Sequence, residues 1–344
     1  MKNNILIFLF LSVVLFSSCE NGDWDFPDYE YQVVYFAYQY PVRTITLGED
    51  IFDTTLDNEG KCMIMATMGG LYENKQNVTI DVEVDNSLVD GLVFEGAGNE
   101  VLALPSSHYT LASDNIVIPN GELSGGVEVQ LTDAFFDDPK SLENNYVIPL
   151  RMLNATVVDS ILSGEPQVAT PRRGVETDWA VLPKDFIFYA VKYINPWEGF
   201  YLRRGEDVIT GKNGNTVLDR TEVRREDCVV DDEVVMLDTQ SRWQVNLPLS
   251  IQDIEGNDLN IVLLLNFDQE GNVNISSSNP SQYTVTGSGS FIKDGEENSW
   301  GSEDRDALYL SYEIETDELN ITTQDTLVMR NRGVAMETFK PVLE

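Results

Sequence analysis

Short runs of alternating apolar and polar residues dominate the chain from residue 31 onward. Residues 78–84 alternate strictly between the two kinds, which is typical of a half-buried antiparallel strand. Residues 31–38 are rich in aromatic and β-branched residues and apolar on both faces, which indicates a strand buried between two sheets. Turn residues separate these runs, and no long helical periodicity interrupts them. The pattern therefore predicts an all-β protein.

Two strand-rich units are predicted. The first spans residues 28–162, and its seven or so short runs separated by turns favour an Ig-like β-sandwich. Residues 163–180 are polar, contain glycine and proline and lack periodicity, so we place a linker there. The second unit, residues 181–344, opens with the apolar run 186–193. We expect it to form an antiparallel β-barrel or jelly-roll, since closure removes exposed strand edges.

The N-terminal segment has the pattern of a secretory signal peptide. A short basic start precedes an uncharged apolar run over residues 5–16, which is shorter than the about 20 residues that a membrane span needs. The motif Phe-Ser-Ser-Cys follows and resembles the bacterial lipobox. We therefore predict a lipoprotein signal peptide over residues 1–18 and lipidation of Cys19. The alternative is an ordinary signal peptide cut near Ser18.

Residues 19–27 are acidic and include glycine and proline, so we predict a tether that does not fold by itself. An acidic run directly after a lipidated cysteine resembles the signal that sends Bacteroidetes lipoproteins to the outer face of the outer membrane. The predicted location is therefore the outer membrane, with the protein lipid-anchored and facing the cell exterior. The alternative is a solvated linker whose charges carry no targeting signal.

The charge of the chain limits its partners. Acidic residues outnumber basic ones by 58 to 22, which gives a formal net charge of -36. Such a surface repels phosphate backbones, and basic residues cluster only in pairs, so the sequence predicts no nucleic-acid partner. A neutral glycan is compatible with this charge.

Cysteine and histidine usage indicates no metal site and no disulfide framework. Besides Cys19, only Cys62 and Cys228 remain, one in each unit. They could pair in an oxidising compartment, but their distance in sequence and strand-like surroundings favour two separate buried thiols. His108 is the only histidine, so neither a zinc pattern nor any cofactor is predicted. A hydrolase triad would need this histidine, but no Gly-x-Ser-x-Gly motif accompanies it, which favours a turn or surface histidine.

The first unit resembles a known domain family. The segments LPSSHYTL (104–111), IVIPNG (116–121), VEVQLTD (127–133) and YVIPL (146–150) resemble a Bacteroidetes β-sandwich domain. That domain occurs at the N-terminus of some family 18 endo-β-N-acetylglucosaminidases and on lipoproteins of polysaccharide utilisation loci. The second half, with YINPW (193–197), resembles a companion domain of unassigned function. The resemblance implies a sandwich fold, a surface location and a glycan-handling role.

Catalytic residues are not predicted. The family 18 motif Asp-x-x-Asp-x-Asp-x-Glu does not occur in this sequence, and no binding residue of the family maps onto it by motif. Pairs of carboxylates alone carry little information, because some of the 58 acids will lie at a glycosidase distance by chance.

Glycan binding favours tryptophans beside loop residues, because sugars stack on exposed rings. Trp197 and Trp300 lie next to asparagine, proline, glycine and serine, which predicts loops and makes them candidate ligand-binding residues. Arg203, Asp304 and Arg305 are candidates for hydrogen bonds to sugar hydroxyls. The alternative is that the tryptophans pack in a core and that Arg305 pairs with a neighbouring acid.

The predicted function is glycan capture by a non-catalytic surface lipoprotein that serves an outer-membrane uptake system. Its expected partners are the glycan, an outer-membrane transporter and other surface lipoproteins. The first alternative is a structural or adhesive surface protein that docks a protein partner. An enzyme is the third hypothesis.

Overall fold

The computed structural model describes residues 29–252 and 256–344. The predicted signal peptide, Cys19 and the tether lie outside these residues. Strand makes up 53% of the structure and helix 9%, so the all-β prediction is confirmed. The helices are short: α1 (Thr55–Asn58), α2 (Asp133–Phe136) and 3-10 turns at Asn86–Val89, Pro139–Leu142, Glu176–Asp178, Thr216–Leu218, Val229–Asp231 and Trp300–Ser302. None of the helices in these ranges is long and apolar enough to cross a membrane.

Fourteen strands build the N-terminal part of the fold. They are β1 (Val33–Tyr35), β2 (Pro41–Thr46), β3 (Lys61–Gly69), β4 (Val78–Val84), β5 (Leu92–Phe94), β6 (Leu102–Ala103), β7 (Tyr109–Leu111), β8 (Asn115–Ile118), β9 (Ser124–Leu131), β10 (Tyr146–Ala155), β11 (Ser160–Ile161), β12 (Glu165–Pro166), β13 (Trp179–Val181) and β14 (Phe186–Ile194).

Nine strands build the barrel, and two more follow it. The barrel strands are β15 (Gly199–Gly211), β16 (Arg220–Arg224), β17 (Glu233–Ser241), β18 (Gln244–Gln252), β19 (Asp258–Phe267), β20 (Asn272–Ser277), β21 (Thr284–Glu296), β22 (Arg305–Glu315) and β23 (Leu319–Asn331). The last two strands are β24 (Glu337–Thr338) and β25 (Pro341–Leu343).

Two sheets form the sandwich. One has the strand order β11-β1-β3-β9-β7, and the other has β24-β2-β14-β10-β4-β8 with β6 paired to β10. The inward side chains of both sheets form one core, which includes Val34, Ile64, Ile80, Ile116 and Ile148, all with no exposed surface. Strand alternation places these residues inside, as the pattern of β4 predicts.

The strand β14 corrects the predicted division of the chain. We expected the run 186–193 to open the second unit, but β14 pairs with β10 and, in parallel, with β2 at the centre of a sandwich sheet. Nearly every side chain of β14 is buried, which requires cover on both faces. The C-terminal strands also return to the sandwich, where β24 pairs with β2 and β25 with β5. The barrel therefore begins at β15 and ends with β23.

The barrel closes because β15 pairs with β23 along residues 200–211. The closed ring consists of eight strands, β15 and β17 to β23, and β16 pairs with the second half of β15. The predicted antiparallel barrel is thereby confirmed. Its apolar interior includes Leu247, Ile261, Leu263, Leu265 and Leu327, which have no exposed surface.

The interior of the barrel is not apolar throughout. On β15 the inward positions include Tyr201, Arg203, Asp207 and Ile209, so two charged residues stand between two apolar ones. On β23 the inward Asp325 is likewise buried. Burying a charge is unfavourable unless the charge is paired. The charged side chains that alternation places inside the barrel therefore need partners within the same layer.

Arg332 joins the sandwich to the barrel. Its guanidinium donates to the carbonyl oxygens of Leu47 (3.1 Å), Glu49 (3.0 Å), Asn195 (2.5 Å) and Glu198 (2.5 Å). The residue is 5% exposed, and burial lowers its pKa. One cation thus satisfies four carbonyls from the sandwich loop and the connection that leads into β15.

The two remaining cysteines are free. Cys62 is buried in the sandwich core, as predicted, but Cys228 is exposed. Cys228 lies between β16 and β17, at the start of the short turn Val229–Asp231, where neighbouring residues face solvent. The prediction of two buried thiols is therefore wrong for Cys228.

Candidate functional site

A groove of about 830 Å³ lies on the outer face of the barrel. Strands β15, β21, β22 and β23 form its floor, and the end of β16 with Arg225 forms one wall. The volume falls within the range of roughly 300–1,000 Å³ that is usual for ligand pockets. The groove is built on paired strands, which hold side chains more rigidly than loops do.

The register of the strands arranges polar side chains in rows across the groove. Ser288 lies opposite Ser311, Ser311 opposite Gln324, and Gln324 opposite Glu206. A second row runs from Tyr309 through Thr326 to Arg204. These residues point outward because they alternate with the inward side chains of the same strands.

The first row is available for hydrogen bonding. Among the residues that the structure describes, the side chains of Ser288, Ser311, Gln324 and Glu206 form no hydrogen bond or ion pair, and all four residues are exposed. Arg225 on the wall is likewise exposed and makes no such contact with the described chain. The groove therefore offers both donors and acceptors on adjacent strands.

Two arginines at the groove carry buried N–H groups without an acceptor. Arg204 donates its Nε–H to Asp232 (2.5 Å), but its Nη2 is buried and has no partner in the described structure. Arg224 is bonded through its terminal nitrogens to Asp207 and Asp325, but its Nε is buried and unpartnered. An unsatisfied buried donor costs about 1–3 kcal/mol, so these two groups lower the stability of the groove wall.

A buried charge network supports the groove from beneath. Asp325 accepts hydrogen bonds from Arg203 (2.9 Å), Arg224 (2.6 Å) and the Tyr312 hydroxyl (2.6 Å). Arg203 also contacts Glu233 at 3.1 Å. Burial alone would lower the pKa of Arg203, but Tyr312, Asp325 and Glu233 outweigh it and raise that pKa. Burial, followed by the nearby Asp325 charge, raises the pKa of Tyr312.

Glycine makes room for this network. A Cβ on Gly205 would lie 2.2 Å from Oδ1 of Asp325 and 2.2 Å from the carbonyl oxygen of Gln324. A Cβ on Gly287 would lie 2.4 Å from Cβ of Tyr312. Both contacts are impossible for a real side chain, so the absence of a side chain at these positions allows the network to pack.

A second pocket of about 410 Å³ lies between the end of β16 and the start of β17. Arg203, Asp207, Glu222 and Glu233 line it, and Arg224 borders both this pocket and the groove. Arg224 therefore connects the buried charges with the outer surface.

Trp197 does not belong to an exposed site. It is 6% exposed, and its ring stacks on Phe267 with centroids 3.9 Å apart and planes inclined by 9°. The prediction that Trp197 binds a ligand is therefore replaced by a packing role in the barrel core. Trp243 lies beside it and is 40% exposed, with the two ring centroids 5.9 Å apart.

Three of the predicted site residues lie together, away from the groove. The Arg305 guanidinium covers the Trp300 ring at 3.8 Å, and the Trp300 indole donates to the Met329 carbonyl (3.1 Å). Asp304 accepts from the Asn298 backbone (2.7 Å). Asp304 and Arg305 border a cavity of about 420 Å³ between the barrel and the sandwich loop at residues 48–51.

Arg203, the remaining predicted residue, is buried and does not reach these three. Its contacts are the acids and the tyrosine of the barrel network described above. The structure thus brings Trp300, Asp304 and Arg305 together but separates them from Trp197 and Arg203.

His108 forms a short hydrogen-bonded chain in the sandwich. Its Nδ1 lies 3.0 Å from the Ser107 hydroxyl, and its Nε2 lies 3.1 Å from Asp138, which also accepts from the Tyr146 hydroxyl (2.7 Å). Burial opposes ionisation of Asp138, but the hydrogen bonds from Tyr146, Lys140 and His108 outweigh it and lower its pKa. The histidine therefore ties two loops of the sandwich together.

No group of three or more histidine, cysteine or acidic side chains in residues 29–252 and 256–344 has an arrangement suited to a metal ion. At the groove, Arg204 and Arg224 are paired with acids, whereas Arg225 and Glu206 are not paired within the described chain. Arginine and carboxylate side chains supply the donors and acceptors that hydroxyl groups bind.

One solved structure is similar to this protein over nearly the full length of the chain. A protein of unknown function from Bacteroides ovatus has a TM-score of 0.87 and 44% identity, over 92% of this chain and 100% of that one. The chain belongs to the family of that Bacteroides protein. The profile of a domain of unknown function, DUF5627, matches residues 196–333, and that of an N-terminal domain matches residues 29–159. The two matches cover the barrel and most of the sandwich separately.

Two further structures from Bacteroides ovatus are more distant. A multidomain protein that includes DUF1735 shows 11% identity and a TM-score of 0.41 over 90% of this chain and 100% of that one. A candidate carbohydrate-binding protein shows 14% identity and a TM-score of 0.28 over 89% of this chain and 97% of that one. None of the curated proteins matches this chain.

The residues of the groove were not predicted from the sequence. One signal was present, because Arg203, Asp207 and Asp325 occupy inward positions where the strand pattern calls for apolar residues. Such breaks in alternation often mark functional or strained sites. The outward rows gave no signal, since polar residues on an outer face are ordinary.

Proposed function

We propose that this protein is a non-catalytic, lipid-anchored surface protein that binds a glycan in the groove on the outer face of its barrel. The exposed row of Ser288, Ser311, Gln324 and Glu206, whose side chains form no hydrogen bond or ion pair within the described residues, carries the proposal. The protein itself does not engage the donors and acceptors of this row, so a hydroxyl-rich ligand would satisfy them.

Several features support a glycan over other ligands. The groove mixes serine, threonine, glutamine, arginine and glutamate, and Tyr309 and two valines provide apolar surface for a sugar face. The two charged side chains at the groove that form no ion pair with the described chain, Arg225 and Glu206, have opposite signs. Their charges sum to zero, which suits a neutral ligand. The net charge of -36 disfavours polyanions.

The cellular setting remains part of the same proposal. The lipobox at Cys19 and the acidic residues after it support an anchor on the outer membrane that faces the exterior. An outer-membrane transporter and neighbouring surface lipoproteins are the proposed partners, and they would take over the captured glycan.

Affinity electrophoresis tests the binding. Residues 20–344 are run through gels that contain host or plant polysaccharides, and retardation in at least one gel is expected. Gln324→Ala and Arg225→Ala remove exposed side chains without structural contacts, so both variants should fold normally. Each should weaken binding by about tenfold, which corresponds to ~1.4 kcal/mol.

Two exposed residues outside the groove serve as controls. Gln282→Ala and Arg330→Ala match the groove substitutions in type. Arg330 borders the cavity beside Trp300 and Arg305, so this variant also tests that cavity as the site. Loss of retardation in Arg330→Ala alone would move the site there. No retardation by any polysaccharide would refute glycan binding.

A further inference from the structure

The end of the sandwich farthest from the barrel forms one continuous surface. The strand β14 runs from this end towards the barrel, which it meets at Asn195. Gln32 donates to Asp159 (2.7 Å) and Gly121 donates to the Asn74 carbonyl (2.8 Å), which links the loops pairwise. We call this surface the distal end, and it comprises residues 29–32, 70–77, 119–123 and 156–159.

Tyrosine is concentrated on the distal end. Tyr29, Tyr31 and Tyr72 are 81%, 57% and 66% exposed, and only one other tyrosine in the described residues, Tyr38, is exposed to a similar degree. The hydrophobic side chains of Leu123 and Val157 on the same end are also exposed. Exposed apolar groups that gather on one end of a protein indicate an interaction surface.

The backbone holds these aromatic residues in place. A Cβ on Gly70 would lie 2.1 Å from the carbonyl oxygen of Tyr31, so only glycine allows the two segments to approach so closely. Gly70 also has φ = 88°, which glycine adopts without strain. Tyr31 is therefore fixed against the turn that carries Tyr72.

The position of the first described residue indicates which partner lies near this surface. The described chain starts at Tyr29 on the distal end, ten residues after Cys19. Ten residues span at most about 35 Å, so a lipid on Cys19 would keep the distal end within that distance of the bilayer. The barrel lies at the opposite end of the sandwich.

We infer that the distal end docks on the lipid headgroup layer through Tyr29, Tyr31 and Tyr72. Tyrosine suits this layer because its ring is apolar and its hydroxyl is polar. Acids outnumber Lys75 on the distal end, so a zwitterionic bilayer is the appropriate surface. Docking would hold the molecule upright, with the barrel groove away from the membrane. The inference rests on the proposed lipid anchor.

Energy transfer from the barrel to the membrane tests this orientation. The lipidated full-length protein is labelled with a donor on the exposed Cys228, since Cys62 is buried, and placed in phosphatidylcholine vesicles that contain an acceptor lipid. The wild type should show weak transfer, because the sandwich separates the barrel from the bilayer. A ten-residue strand such as β10 is about 33 Å long.

The triple variant Tyr29→Ser, Tyr31→Ser, Tyr72→Ser should let the molecule tilt, and transfer should rise. Tyr38→Ser, which removes an exposed tyrosine elsewhere, should leave transfer unchanged. Equal transfer in the wild type and the triple variant, with Cys19 lipidated, would overturn docking alone. A mass spectrum without lipid on Cys19 would overturn the anchor and docking together. Neither result would affect glycan retardation by residues 20–344.

Discussion

Asp325 is the acid that holds together the charge network inside the barrel, and replacing it with asparagine tests how that network is stabilised. Its side chain has no exposed surface. It accepts from Arg203, Arg224 and Tyr312, and each arginine also contacts one further acid. Asparagine has almost the same shape, so the substitution removes charge without creating a cavity.

The expected loss follows from these contacts. An amide keeps one acceptor oxygen but turns an NH₂ group towards a guanidinium donor, so at least one hydrogen bond to a charged group is lost, at about 1.5–3 kcal/mol. The buried Arg203 and the half-buried Arg224 each lose one of their carboxylates, and removing one partner of a buried ion pair costs about 3–5 kcal/mol, which includes the lost hydrogen bond. We expect the free energy of unfolding to fall by about 3–5 kcal/mol.

Urea unfolding followed by tryptophan fluorescence measures this loss, since Trp197, Trp243 and Trp300 all lie in the barrel. Asp317→Asn, an exposed position in the turn between β22 and β23, is the matched control and should change little. A loss below about 1 kcal/mol would refute this reasoning.

Three further predictions concern the junction, the groove and the thiols. Arg332→Met should cost about 3 kcal/mol or more and speed hydrogen exchange at residues 195–198, because four carbonyls lose their donor; the exposed Arg330→Met should do neither. Gly205→Ala should lower the melting temperature, because its methyl group would strike Asp325. At pH 8 a thiol reagent should modify Cys228 once, as counted by mass spectrometry. Cys62 should react only after unfolding, because burial raises its pKa to about 12.

The strand pattern determined much of this fold. Inward and outward positions alternate along each strand regardless of its neighbours, so residues 78–84 and the apolar run at β14 indicated strands correctly. A sandwich followed by a barrel could therefore be predicted, because turn spacing and alternation are local properties of the sequence.

Only the tertiary structure decided which strands pair and which surfaces meet. The apolar run of β14 indicates that this strand is buried. It does not indicate that the strand pairs with β2 and β10, which lie about 150 and 40 residues earlier in the chain. Trp197 has loop neighbours, yet it is buried because the closing barrel brings Phe267 against its ring. The groove combines β15 with β23, whose paired residues lie more than 100 positions apart. Its chemistry depends on barrel closure, which no local pattern encodes.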